Sequence, residues 1–69
     1  MNRWKIVEER IREAGWGIGV VPPLPDGGFS FWIVEARRGT VRHRVQADDL
    51  LTAFLLLEEQ LRLYMAGGY

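Results

Sequence analysis

The sequence predicts an α+β fold in the order α-β-β-β-α, a three-stranded antiparallel meander with two helices packed on one face. Three observations carry that prediction. Apolar residues recur at steps of three and four near each end of the chain, as one face of a helix requires. Between Trp16 and Gln46 the pattern changes to alternation, the period of a strand. Clusters of Gly, Pro and Asp break that middle into short runs. Each element then has a single strong apolar face, and two helices over one side of a meander is the simplest way to bury them all.

The first helix is expected over residues 3–14. Trp4, Val7, Ile11 and Ala14 form its stripe, while Lys5, Glu8, Glu9, Arg12 and Glu13 fall mostly elsewhere. Asn2 suits the N-cap and Gly15 the stop. Glu8 and Arg12 stand one turn apart in the favourable order. Ile6 points away from the stripe and is unexplained by it.

Trp16, Ile18 and Val20 alternate with Gly17, Gly19 and Val21, which gives a strand with one bulky face and one nearly bare face. The glycines are not a dinucleotide fingerprint, which needs a strand before and a helix after, with its third glycine where Val20 stands. Pro22-Pro23-Leu24-Pro25-Asp26-Gly27-Gly28 is a loop: the prolines hold it extended and Asp-Gly-Gly supplies a turn. Its PxxP spacing has no flanking arginine, so it reads as a rigid connection.

Residues 29–36 and 41–46 are expected to form a hairpin with Arg37 to Thr40 as the turn. An even loop sets Ala36 opposite Val41, Glu35 opposite Arg42, Val34 opposite His43 and Trp32 opposite Val45. Trp32, Val34, Ala36, Val41, His43 and Val45 then share the inner face, leaving Phe31, Ile33, Glu35, Arg42, Arg44 and Gln46 outside. An odd loop would bury Glu35 without a partner, which is costly.

The last helix, over residues 47–65, carries the strongest signal. Asp48 and Asp49 open it, Gly67 and Gly68 close it, and ten apolar residues lie between Leu50 and Tyr64. At about 100° per residue, Leu50, Phe54, Leu57 and Leu61 lie on one line, flanked by Ala53, Tyr64 and Met65. Leu51 and Leu55 fall off that line on one side, and Leu56 and Leu63 on the other. One companion helix covers one flank but hardly both.

The element order and length resemble the double-stranded RNA-binding domain. In that family RNA is held by a histidine-bearing loop between the first two strands and by lysines opening the second helix. Here the loop of residues 22–28 has no histidine and the helix opens with Asp48 and Asp49, whose carboxylates repel phosphate. The resemblance implies a fold and none of the family's RNA contacts.

Sixty-nine residues make one domain, expected over 1–66 with 67–69 as a flexible tail. A chain this short buries only about 60% of its unfolded surface, so packing or association must stabilise it. With no cysteine it has neither disulfides nor thiolate metal ligands, which suits a reducing cytoplasm. No signal peptide and no bilayer-spanning run is expected. Nine Lys and Arg balance nine Asp and Glu, which removes the bulk electrostatic case for nucleic acid.

Catalysis needs a nucleophile or paired groups with separable pKa values, and the sequence holds one histidine and one serine. His43 reads as a packing residue and Ser30 as a strand residue. Asp48 with Asp49, and Glu58 with Glu59, diverge on a helix. No catalytic residue, cofactor or metal site is expected, and no enzyme. Two surfaces rise above this background. One is the open sheet face, where Phe31 and Ile33 lie beside Arg37, Arg38, Arg42 and Arg44. The other is the pair of leucine flanks, Leu51 with Leu55 and Leu56 with Leu63. The expectation is a non-enzymatic interaction module, a homodimer or a binder of another protein. The alternative is a nucleic-acid-binding or regulatory adaptor using the arginines of the hairpin.

Overall fold

A computed structural model describes residues 2–24 and 30–66. The expected Asp26-Gly27-Gly28 turn, Phe29, the glycine stop after the last helix and the tail lie outside the described residues. Five elements follow one another: α1 (Arg3–Glu13), β1 (Gly17–Val21), β2 (Trp32–Arg38), β3 (Val41–Ala47) and α2 (Leu50–Ala66). The sheet is an antiparallel meander in the order β1-β2-β3, so the expected α-β-β-β-α architecture is the observed one.

α1 forms because its apolar residues line one side, where Val7 and Ile11 are buried. Trp4 lies flat against Phe54 of α2, ring centroids 5.8 Å apart. Asn2 occupies the N-cap with extended backbone, but its side chain makes no capping bond; its carbonyl accepts from Lys5 instead. The C-terminus is a Schellman motif. Gly15 takes φ 96°, its N–H donates to the Arg12 carbonyl, and the Trp16 N–H donates to the Ile11 carbonyl. That motif turns the chain so that the Trp16 ring enters the core.

In the sheet, side chains alternate between faces. Ile18, Val20, Val34, Ala36, His43 and Val45 lie toward the helices, in cross-strand rows that join Ile18, Ala36 and His43, and Val20, Val34 and Val45. The inward and outward assignment of the hairpin therefore stands, but its register is shifted by two. Glu35 opposes Arg44 rather than Arg42, Ala36 opposes His43, and the turn is Gly39-Thr40 alone. Gly39 at φ 62°, with no positive φ at Thr40, fits the two-residue type II′ loop that matches the strand twist. β2 accordingly runs on to Arg38 and begins at Trp32, with Phe31 before it.

α2 is capped by Asp49. Its carboxylate accepts the Thr52 N–H at 2.9 Å and the Thr52 hydroxyl at 2.6 Å, and its carbonyl accepts from Ala53. Ala53, Phe54, Leu57 and Leu61 are buried against Val34, Ala36, Val7, Ile11 and Trp16. Phe54, Leu57 and Val34 are the largest fully enclosed side chains, each worth roughly 1.5–3 kcal/mol by burial. Met65, placed beside the buried line by sequence, is half exposed.

Candidate interaction surfaces

The two flanks of α2 meet different neighbours. On one side Glu58 receives a bidentate pair of hydrogen bonds from Arg10 of α1, at 2.7 and 2.9 Å. On the other side the Gln60 amide bonds Nδ1 of His43 on β3, at 2.8 Å. The Leu51–Leu55 flank is thus turned toward α1, and the Leu56–Leu63 flank toward β3.

Leu51 is half-buried and shares a shallow groove with Ile6, Val7 and the aliphatic stems of Arg3 and Arg10. Ile6, which the α1 stripe left unexplained, is the residue that meets this flank. Leu55 stays exposed and also borders a second groove of about 470 Å³ between the C-terminal halves of the helices. Ile11, Trp16, Leu61 and Met65 form its apolar floor, and Arg10, Glu58, Glu59 and Arg62 its charged walls. The walls are paired with each other, Arg10 to Glu58 and Arg62 to Glu59. The Arg10 bond holds the Glu58 carboxyl below its ordinary value against partial burial, and the same pairing raises Arg10. Asp49 is likewise lowered, first by the Thr52 hydroxyl and then by the Thr52 N–H.

The Leu56–Leu63 flank has no such cover among the described residues. Leu56 is 47% and Leu63 58% exposed, the latter the most exposed large apolar side chain among them. Beneath Gln60 the inner face closes with a ring cluster in which His43 meets Tyr64 at 5.0 Å and Trp16 at 5.7 Å. Nε2 of His43 and Nε1 of Trp16 are enclosed there without a hydrogen-bond partner among the described residues. Among the described residues His43 thus meets the rings of Trp16 and Tyr64 and the Gln60 amide.

The outer sheet face is a grid of three rows: Val21, Ile33 and Gln46; Gly19, Glu35 and Arg44; Gly17, Arg37 and Arg42. Glu35 pairs with Arg37 at 3.6 Å and lies opposite Arg44. The apolar part is confined to one end, where half-buried Ile33 adjoins exposed Val21; Phe31, also exposed, precedes β2 in the chain. Of the four hairpin arginines, Arg37, Arg42 and Arg44 share this face. Arg38 does not. The two-residue shift carries it to the helix side, where its guanidinium sits 4.4 Å above the Trp16 ring and donates to the Ala14 carbonyl at 3.1 Å.

Sequence reasoning missed the Arg10–Glu58 clasp, the Gln60–His43 bond and the role of Ile6. Ile6 alone carried a signal, as an apolar residue off its helix's stripe. No family model, curated protein or solved structure matches the chain. Among the described residues no helix is long and apolar enough to cross a membrane.

Proposed function

We propose that this chain is a small non-enzymatic interaction module that associates with a second copy of itself through the Leu56–Leu63 flank of α2. The observation that carries the reading is the position of those two leucines. They lie on a helix already packed against the sheet and α1, on the side where no other element lies among the described residues, and over half of Leu63 meets water. The competing flank is partly roofed by Ile6 and clasped by Arg10, and the outer sheet face is charged over most of its area, with Glu35 paired to Arg37. A second copy is the favoured occupant because a two-fold axis brings one apolar flank against its own equivalent, and the net charge of zero does not oppose association. The absence of cysteine favours a cytoplasmic setting.

Light scattering at micromolar concentration tests this reading. The wild-type chain gives the mass of two chains, and Leu63→Glu gives that of one while keeping its circular dichroism. Phe31→Glu and Ile33→Glu leave the dimer intact. A dimer lost on Ile33→Glu and kept on Leu63→Glu moves the interface to the outer face.

One observation favours a second reading, the convergence of Arg37, Arg42 and Arg44 on one sheet face beside Ile33. An adaptor for single-stranded nucleic acid would use them as phosphate contacts. Anisotropy with a labelled oligonucleotide at low salt decides it: binding that weakens with salt and disappears on replacing Arg42 and Arg44 with Glu supports the adaptor, and no binding dismisses it.

A further inference from the structure

Beside the Leu56–Leu63 flank runs a free sheet edge. β3 is paired by β2 on one side and by no strand among the described residues on the other. The two-residue loop makes Arg38 and Val41 the closing hydrogen-bonded pair of the hairpin, and pair types alternate from there. Main-chain groups of Val41, His43, Val45 and Ala47 therefore serve β2. Those of Arg42, Arg44 and Gln46 point outward along the edge. Chains commonly blunt such an edge with proline or a bulge, and β3 has neither over its whole length of seven residues.

We infer that the second copy joins at this edge, β3 against β3 antiparallel about a two-fold axis at Val45, making one six-stranded sheet with both helix pairs on the same side. This rests on the self-association proposed above and adds its geometry. The arginines select the register. A two-fold axis normal to the sheet keeps inner residues beside inner residues, so only pairings centred on a single residue are open. Centring on His43 sets Arg42 against Arg44 twice, and centring on Arg44 sets that residue against itself. Like charges directly opposite destabilise a sheet. Centring on Val45 instead sets Arg44 opposite Gln46 and Val45 opposite Val45, and brings Arg42 beside Asp48 of the second copy, the residue just past the end of β3. Centring on Gln46 also avoids arginine pairs but shortens the overlap.

Area points the same way. A specific dimer buries about 800 Å² on each partner. Against an accessible surface of 4827 Å², two leucines that are about half exposed supply only a fraction of that. The adjoining strand edge adds to that area, and the same axis sets Leu56 and Leu63 of one α2 toward those of the other.

The test compares the masses of four chains by light scattering, with circular dichroism as the folding check. Arg44→Pro removes an outward N–H while leaving the bonds to β2, a substitution edge strands tolerate. It is expected to give a folded monomer. Arg42→Asp places carboxylates beside Asp48 and is expected to raise the dimer dissociation constant by about tenfold. Adding Asp48→Arg to Arg42→Asp exchanges the charges and is expected to restore it. Where Arg44→Pro does not fold, the charge exchange decides alone. A dimer that dissociates on Leu63→Glu yet ignores Arg44→Pro and the charge exchange overturns edge pairing and keeps self-association. A wild-type monomer at every concentration overturns both.

Discussion

At Asp49 a single carboxylate fixes where the longest helix begins, and its bonds to Thr52 hold it ionised below the ordinary carboxylate range. Glu58 is held the same way by Arg10. Both folded-state values lie below the unfolded ones, so their contribution to stability is full above about pH 4 and is lost as pH falls through the lowered values. Asp49→Asn keeps a capping oxygen but cannot titrate. Its urea midpoint should lie below wild type near neutrality, where one amide oxygen replaces two carboxylate oxygens, and converge on wild type in acid, and Glu58→Gln should also flatten the acid limb while losing the Arg10 clasp at neutral pH. An acid limb unchanged in both variants would contradict these assignments. His43 shows how far single residues were legible. Its position between inward valines implied packing, whereas its Gln60, Trp16 and Tyr64 neighbours come from other elements and leave no local trace in the sequence.

Among the elements, the helices were readable because their stripes are long and, in α1, because Gly15 supplies the stop. The strands were readable in face but not in register, for a specific reason. Burial fixes only the parity of a hairpin loop, since a slip of two residues returns every side chain to its own face. Turn geometry had to choose, and Gly39 at φ 62° chose a two-residue loop. That slip carried Arg38 from the expected arginine face to the Trp16 ring. Gly39→Ala, which meets no neighbouring atom but must adopt a left-handed backbone, should cost about 1 kcal/mol, read as a lower thermal midpoint. On α2 the division between core and flank predicts opposite outcomes for one change of side chain. Leu57→Ala should lose about 2–5 kcal/mol in urea titration, and Leu63→Ala should leave the isolated fold nearly unaffected.

The whole molecule is a half-covered sheet. Two helices roof one side, and the other presents Glu35, Arg37, Arg42 and Arg44 beside a strand left bare at Gly17 and Gly19. A domain of this length holds roughly 3–10 kcal/mol of net stability, so leucines left in water matter on that scale. The excess of leucine on α2 was legible in the sequence, as was its division into two flanks. Which flank remained open was not, because that depended on Ile6 and Arg10 lying on one side and the edge strand on the other. Self-association through this flank is tested most directly by the solution mass of the wild-type chain beside Leu63→Glu, measured by light scattering at micromolar concentration. It predicts twice the 8.0 kDa of one chain for the wild type and a folded single chain for the variant. A wild type that remains at 8.0 kDa, or a variant that stays dimeric, would contradict it.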